Sequence, residues 1–325
     1  MHNLQIRIKR PPASAADLEL VEGPPPALTN GSFLARALWL ALDPFRCATE
    51  HSAPAGLPRP GDLVPARGVA EVIESRHEVF GVGSFAVLDC GLQQLCVSDG
   101  AHARLLHPGQ TPVSTALGVL GAPGMAAYFG LLHLGRLKRS DTVLVSEPAN
   151  AAGAMAGQVA MLKGARAIGI AATREKCDWV MRHARFSACL NHAADNLHAR
   201  LKQLAPRGVD IFFDSTGGEL LEAILAGGHL ARGARIVQNS ATPQPPEVLL
   251  SRGDYHPGEN GVEVLSVRPH DFEHRRGEFL REAIPWHGSG RIAAREHVVE
   301  GLANAPAHLL LAMQGGNFGR PLVRV

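Results

Sequence analysis

Residues 141–172 read DTVLVSEPANAAGAMAGQVAMLKGARAIGIAA, and two short apolar runs in this segment flank a helix-length stretch of small residues. The runs DTVLVS (141–146) and ARAIGIAA (165–172) are typical of buried parallel strands, which lack the polar alternation of half-exposed strands. The stretch AAGAMAGQVAMLKG (151–164) has the spacing of a helix. The order strand, helix, strand predicts a right-handed βαβ unit.

The same alternation continues toward the carboxyl end of the chain. The predicted helices are REKCDWVMRHA (174–184) and GELLEAILAGG (218–228). The predicted strands are VDIFFDST (209–216) and ARIVQNS (234–240). Strands that alternate with helices predict a parallel sheet with helices on both faces.

The first third of the chain has a different texture, in which short apolar runs are interrupted by Gly and Pro. These runs are LQIRIK (4–9), SFLARALWLAL (32–42), GVAEVIES (68–75) and FAVLDC (85–90). They predict a strand-rich domain over residues 1–120. From about residue 290 the texture is mixed again, and the final RPLVRV is a predicted closing strand.

Composition excludes several classes of protein. The 325 residues are 46% hydrophobic with a net charge of +2, which argues against disorder and against a nucleic-acid protein that neutralises phosphates. No apolar run has the length of a membrane span, and the amino terminus lacks the apolar core of a signal peptide. The cysteines are five, scattered and without a CxxC motif, which favours a cytoplasmic setting.

The turn after the first strand of the βαβ unit has the spacing of a dinucleotide site. It reads Asn150-x-x-Gly153-x-x-x-Gly157, a GxxGxxxG pattern with Asn in the first place. Asn tolerates positive φ better than other non-glycine residues, so we expect Asn150 to replace a glycine there. Such a turn lets a pyrophosphate reach a helix amino terminus. The alternative is a helix of small residues that packs on a sheet and binds no ligand.

The end of the next strand indicates which cofactor would bind. NAD sites place an acidic residue there, about 20 residues past the glycines, to hold the ribose hydroxyls. Here the strand leads into Arg174, Glu175 and Lys176, and the two cations could hold a 2′-phosphate. This favours NADP over NAD, and the alternative is a solvated helix start.

Segments spread over nearly the whole chain resemble one known family. They are Leu42-Asp43-Pro44-Phe45, GVAEVIESRH (68–77), VSDGAHARLL (97–106), GVLGAPGMAAYFGLLHLG (118–135), GQVAMLKGARAIGIAATREKC (157–177), DIFFDSTGGELLEAIL (210–225) and the end of the chain (295–325). In this collinear order they resemble the zinc-independent medium-chain dehydrogenases/reductases. Within that family they are similar to the prostaglandin reductase branch and its bacterial alkenal and curcumin reductase relatives.

The resemblance implies an α/β protein with a GroES-like β-rich domain and a Rossmann domain, whose parallel sheet is doubly wound. The GroES-like substrate domain would comprise residues 1–120 completed by 288–325, and the NADP-binding domain residues 121–287. Members of the family reduce the C=C bond of enones and enals with NADPH and are commonly homodimers. The partners implied are NADP(H) and a small enone, enal or quinone, with neither nucleic acid nor membrane.

The resemblance also implies a set of cofactor-binding positions. They are Asn150, Ala151, Ala152 and Gly153 for the pyrophosphate turn, Lys176 for the 2′-phosphate, His192 in place of a nearby tyrosine, Ser215 in place of an asparagine, Asn239 in the stretch that covers the nicotinamide, and Asn317 in a cofactor-contacting motif near the carboxyl terminus. That nicotinamide stretch, residues 238–245, lacks the glycine and tyrosine usual in the family, and Leu92 replaces a tryptophan of the first domain.

Two tyrosines are candidate catalytic residues. Tyr128 lies at a helix start that is similar to a family motif, and the alternative for it is a packed core tyrosine. Tyr255, in SRGDYHPGENG (251–261), could replace the missing family tyrosine, and the alternative is an exposed loop residue.

We predict that the chain holds no metal. Cys47 falls near the first zinc-ligand position of the zinc enzymes, but residues 65–69 contain no His. No cysteine lies between Cys96 and Cys177 to complete a catalytic set of three ligands. The resemblance implies reduction of an enone or enal with NADPH as the expected function, and the missing ligands make that reaction metal-free. Quinone reduction, or NADP binding with weak or lost catalysis, are the alternatives.

Overall fold

The structure is a computed structural model that describes residues 2–10, 14–43, 59–109, 111–239 and 261–325. The chain divides into two compact units. The first unit comprises Met1–Leu117 and Glu296–Val325, and the second comprises Gly118–Arg295. None of the helices in the described ranges combines the length and the apolarity needed to traverse a bilayer.

The first unit is rich in strands. Its elements are β1 (Asn3–Ile8), β2 (Leu18–Gly23), β3 (Phe33–Ala41), β4 (Arg67–Ser75), β5 (Phe85–Asp89), β6 (Leu95–Ser98), β7 (Arg104–Leu106), β14 (Glu296–Glu300), α7 (Ala305–Met313) and β15 (Arg320–Arg324), with short 3₁₀ turns at Ala15–Asp17, Val113–Leu117 and Leu302–Asn304. Strand β15 pairs antiparallel with β3, with Leu322 opposite Ala41. The predicted closing strand is thus confirmed, and it joins the sheet formed by the first third of the chain.

The second unit alternates strands and helices. Its elements are α1 (Ala122–Phe129), β8 (Thr142–Ser146), α2 (Ala151–Leu162), β9 (Arg166–Ala171), α3 (Arg174–Arg182), β10 (Ala188–Asn191), α4 (Leu197–Leu204), β11 (Val209–Asp214), α5 (Gly218–Ala226), β12 (Leu230–Gln238), β13 (Glu263–Ser266) and α6 (Arg276–Gly288), with a π-helical turn at Gly130–Leu134 and a 3₁₀ turn at Pro269–Arg275. Every strand and helix predicted in this half is present.

The described strands of the second unit form one parallel sheet in the order β10-β9-β8-β11-β12-β13. This is the doubly wound order of a dinucleotide-binding sheet. Both faces are covered. Leu144 and Phe212 on one face share a buried cluster with Leu221 of α5, and Phe213 and Val237 on the other face approach Gly130 after α1. The predicted α/β fold with a doubly wound sheet is confirmed.

Two features of this half differ from the sequence-based expectation. Strands β10 and β13 were not predicted, because each has only four residues and neither is continuously apolar. Residues 118–120, and the segment 288–295, group with the second unit instead of the first. The Gln158 side chain holds this segment to α2, since it donates to Ala293 O at 2.9 Å and accepts from Ala293 N at 2.7 Å.

Candidate functional site

The centre of the parallel sheet provides a crevice at its carboxyl edge. The chain enters the sheet at β8 and builds outward through β9 and β10, and it then returns to the other side of β8 for β11. The connections after β8 and β11 therefore lead away from each other. Ligands of such sheets bind at this switch point, outside the carboxyl ends of the strands.

The turn between β8 and α2 is shaped to expose backbone amides. Asn150 is the amino-terminal cap of α2, and its Oδ1 accepts from Gly153 N at 2.7 Å. Asn150 O accepts from Ala154 N at 2.9 Å. The amides of Ala151 and Ala152 have no acceptor in the described part of the chain. Two N–H groups at a helix amino terminus are thus available to an anion.

Asn150 does not have the backbone conformation that we expected. Its φ is −87°, which any residue adopts, and the positive φ of this turn, 49°, belongs to Glu147. The sequence prediction for Asn150 was wrong on this point. Asn150 instead contributes its side-chain oxygen, which caps α2. Its φ is negative because a capping residue takes an extended conformation.

Gly153 is required by a close approach of backbone atoms. A Cβ at this position would lie 2.3 Å from Glu147 O, so any side chain would push the turn away from the helix. At Gly157, one turn further along α2, a Cβ would lie 1.8 Å from the ring of Phe186. The first glycine therefore shapes the turn of residues 147–153, which we call the anion turn, and the second allows α2 to pack on the rest of the unit.

A buried lysine lies beside the same turn. Lys176 is in the first turn of α3, where Thr173 Oγ1 caps the helix by accepting from Lys176 N at 3.2 Å. Only 7% of the Lys176 side chain is exposed, and its Nζ lies 3.8 Å from Glu147 Oε2. Arg174, the other predicted cation, is 85% exposed and pairs with Asp178 at 3.3 Å. Of the two cations, the structure thus brings Lys176 to the turn.

His192 lies near the same corner of the sheet. It follows β10 directly, is exposed, and donates its backbone N–H to Ala171 O, the last residue of β9, at 3.1 Å. The segment that starts at Ala171 also leads into the helix of Lys176. The two predicted positions therefore flank the carboxyl end of β9.

On the other side of the crevice, two buried side chains join the ends of β8 and β11. Ser146 Oγ donates to Asp214 Oδ1 at 2.9 Å, although the residues are 68 positions apart. The same carboxylate oxygen accepts the N–H groups of Thr216 and Gly217, both at 3.0 Å. Asp214 thereby holds the turn that leads from β11 into α5 at the carboxyl edge of the sheet.

Ser215 and Asn239 extend this network to β12. Ser215 N donates to Ser146 Oγ at 2.8 Å, and Asn239 Nδ2 donates to Ser215 Oγ at 3.2 Å. Asn239 N also donates to Asp214 O at 2.7 Å. These two predicted positions are therefore in direct contact at the carboxyl edge of the sheet.

Comparisons with known proteins agree with this architecture. Residues 5–106 match the family described as the N-terminal domain of oxidoreductase, and residues 151–267 match the zinc-binding dehydrogenase family. The chain is 33% identical to prostaglandin reductase 1 of Bos taurus, over 97% of this chain and 95% of that protein. The chain belongs to the medium-chain dehydrogenase/reductase family.

Other members of the medium-chain family show the same likeness. The NADPH-dependent curcumin reductase of Escherichia coli strain K12 is 32% identical, over 91% of this chain and 88% of that protein. The crystal structure of CurA from Vibrio vulnificus, in complex with NADPH, has a TM-score of 0.88 and is 30% identical, covering 100% of this chain and 99% of that one. An Escherichia coli quinone oxidoreductase structure, at 19% identity and a TM-score of 0.78, shares the fold alone.

The matched family name raises the question of zinc. Among the described residues, no three His, Cys, Asp or Glu side chains lie close enough together to hold a metal ion. Cys47, the candidate first ligand, lies outside the described residues. The donor set that is described therefore does not fit a catalytic zinc, which needs three protein ligands.

Tyr128 is placed in the core of this medium-chain reductase. Its ring is buried against Phe129, Phe279 and Trp286, and its hydroxyl donates to Glu282 Oε1 at 2.9 Å. Burial, and then the Glu282 carboxylate, raise the pKa of the phenol well above its usual range.

The partners of Tyr128 place it at the far end of α2. Glu282 is also bound by Lys163 Nζ at 2.6 Å, and Lys163 follows the last residue of α2. The anion turn lies at the first residue of the same helix, about 18 Å away along twelve residues. The structure does not bring Tyr128 to the anion turn.

Removing this hydroxyl tests the structural role. We expect Tyr128→Phe to lower the free energy of unfolding by about 1–2 kcal/mol, because Glu282 loses a buried donor but keeps Lys163. Urea unfolding measures the loss, and kcat for enone reduction should stay within about twofold of the wild type. A tenfold fall in kcat at unchanged stability would instead indicate that Tyr128 is catalytic.

The remaining predicted positions lie elsewhere. Asn317 belongs to the first unit, in the turn before β15, where its Nδ2 donates to Gly319 O at 2.8 Å. Tyr255, and most of the stretch 238–245, lie outside the described residues.

Sequence reasoning missed Glu147, Ser146 and Asp214. Glu147 carried a signal, because an acidic residue is out of place in a turn that receives a phosphate. Ser146 and Asp214 end the two strands that flank the switch point, which the predicted strand order could have identified.

Proposed function

We propose that this protein uses NADPH to reduce the C=C bond of an α,β-unsaturated ketone or aldehyde, without a metal. The observation that carries the proposal is the buried ammonium of Lys176 next to the amide-lined turn of α2. A phosphate on the ribose would be attracted to that cation, and nicotinamide dinucleotides differ from one another at this position. The similarity to prostaglandin and curcumin reductases supports the reaction class.

The residues of the second unit fit the phosphate-rich part of NADPH. The amides of Ala151 and Ala152 would donate to the pyrophosphate, with Asn150 holding the turn in place. Gly153 lets the turn lie close against the helix. Lys176 would hold the 2′-phosphate, with His192 at the neighbouring strand end.

The polar network at the ends of β11 and β12 suits the rest of the cofactor. Ser215 and Asn239 contact each other there, and Ser146 and Asp214 fix the backbone beneath them. We propose that Ser215 and Asn239 position the nicotinamide half. Asn317, whose side chain donates to Gly319 O in the turn before β15, is proposed as a further cofactor-binding residue because it matches a cofactor-contacting motif of the family.

The chemistry requires few groups from the protein. Bound NADPH supplies a hydride to the β-carbon of the enone, and the α-carbon then takes a proton. The chain's part is to orient the two reactants, which lowers the entropic cost of bringing them together. Tyr255 or water is proposed as the proton source, and Tyr128 has no part because its hydroxyl is engaged by Glu282.

Turnover assays test the proposal. We expect saturable binding of NADPH, and oxidation of NADPH that depends on an added enal or enone and yields a product with a saturated C=C bond, identified by NMR. Faster turnover of quinones would favour the quinone reductase alternative. Tight NADPH binding without turnover of either substrate class would favour an NADP-binding protein with lost catalysis, and no binding would reject the proposal.

We propose in addition that the protein is a cytoplasmic homodimer. Family resemblance supports the dimer, and β13 is the outermost of the described strands on one side of the sheet, where a second copy could pair with it. The described cysteines Cys90, Cys96, Cys177 and Cys189 are free thiols, which suits a reducing compartment. Sedimentation equilibrium should give twice the mass of the chain, and a monomer mass would refute the dimer.

A further inference from the structure

The backbone of the anion turn is built around Glu147. Among the described residues only Arg136, Glu147 and Arg185 are non-glycine residues with positive φ. Glu147 O accepts from Asn150 N at 3.1 Å and packs against the space that Gly153 leaves open. A left-handed backbone conformation is unfavourable for a residue such as Glu. Glu147 keeps this conformation only because these contacts impose it. They also determine where the Glu147 side chain starts.

That side chain extends to Lys176. The carboxylate Oε2 lies 3.8 Å from Lys176 Nζ, and the two side chains are 29% and 7% exposed. A buried ammonium needs an opposite charge close by, and the Glu147 carboxylate supplies one. The negative charge thus lies beside the cation that we assign to the 2′-phosphate.

A carboxylate at this point changes the affinities for the two nicotinamide dinucleotides in opposite directions. The 2′-phosphate of NADPH carries nearly two negative charges, so it is attracted by Lys176 and repelled by Glu147. The 2′-hydroxyl of NADH carries no charge and can donate a hydrogen bond to a carboxylate. NAD-specific sites use an acidic residue for that purpose, although it follows the second strand of the sheet there.

Building on the proposed function, we propose that Glu147 determines cofactor specificity, by weakening NADPH binding and accepting a hydrogen bond from the 2′-hydroxyl of NADH. In such a site, Lys176 recognises the 2′-phosphate of NADPH and Glu147 recognises the 2′-hydroxyl of NADH. The protein uses both cofactors, with a smaller preference for NADPH than Lys176 alone would produce.

Affinities of both nucleotides for Glu147→Gln test this inference. The substitution keeps the shape of the side chain and removes its charge. We expect NADPH to bind about fivefold to tenfold more tightly and NADH about threefold more weakly than to the wild type. Fluorescence titration measures both dissociation constants. The matched control is Glu175→Gln, which removes an exposed carboxylate next to Lys176 in the sequence and should change neither.

Opposite shifts for the two nucleotides distinguish specificity from a structural effect. A damaged turn would weaken NADPH and NADH together, and that result, or no change in either, would overturn the inference while leaving the proposed function intact. Asn tolerates the left-handed conformation, so Glu147→Asn should shift both affinities in the same directions as Glu147→Gln. Failure of the wild type to bind either nucleotide would reject the proposed function and this inference together.

Discussion

Replacing Lys176 by methionine is expected to weaken NADPH binding about 100-fold, or about 2.7 kcal/mol, and to change NADH binding by no more than about threefold. The expected loss is large because the ammonium is buried, where a charge-assisted hydrogen bond to phosphate is little screened by water. Methionine has a similar length and fills the same space, so that packing of α3 is preserved. Titration of both nucleotides measures the effect.

The control for Lys176 is another cation on the same helix. Arg182 is exposed in the last turn of α3, and Arg182→Met should leave both affinities unchanged. Equal losses for NADPH and NADH in Lys176→Met would indicate that the lysine supports the fold and not the phosphate. A larger NADPH loss in Arg174→Met would place the phosphate on the exposed side of α3.

A buried ion pair is expected to stabilise the second unit strongly. It lies at the edge of the sheet opposite to the candidate cofactor site. Asp141 precedes β8, and its Oδ2 accepts from Arg235 of β12 at 2.8 Å and from Lys138 N at 3.0 Å. Both charged side chains are buried, at 6% and 10% exposure. We expect Asp141→Ala to lower the free energy of unfolding by about 3–5 kcal/mol, because Arg235 is left as an unpaired buried charge.

Unfolding of the second unit can be observed separately from that of the first. Of the three tryptophans, Trp179 and Trp286 lie in the second unit and Trp39 in the first. In a Trp39→Phe background, urea unfolding followed by fluorescence therefore reports the second unit. Its midpoint should fall steeply in Asp141→Ala.

Two further variants separate burial from charge in this result. Glu263→Ala breaks the exposed pair with Arg136 in the same unit and should cost no more than about 1 kcal/mol. The double variant Asp141→Leu/Arg235→Met should recover most of the stability lost in Asp141→Ala, since no buried charge is left. Equal costs for the buried and the exposed pair would contradict the argument.

The pattern of apolar residues was sufficient to predict the central elements of the second unit. DTVLVS at 141–146 predicted the strand found at Thr142–Ser146, and 151–164 predicted the helix found at Ala151–Leu162. Such segments are predictable because a strand buried on both faces is continuously apolar. It also lies between helices whose apolar residues recur with a helical period. The short strands β10 and β13 carry too few residues for a period to be recognised.

The candidate site was predictable only in part. Spacing was sufficient to predict the turn at 150–153 and Lys176 as candidate residues, because the phosphate-binding positions of a βαβ unit are close in sequence, and the structure brings Lys176 beside that turn. The assignment of positive φ to Asn150 was wrong, because the packing of Gly153 on Glu147 O determines which residue adopts it.

By itself, therefore, the sequence determined the order of strands and helices and the local turn that can receive a dinucleotide, because these depend on neighbouring residues. The tertiary structure alone decided which distant side chains meet. Examples are Ser146 with Asp214, Tyr128 with Glu282, Asp141 with Arg235, and Glu147 with Lys176. Each pair joins different elements, and its contact depends on how those elements pack, which no local pattern encodes.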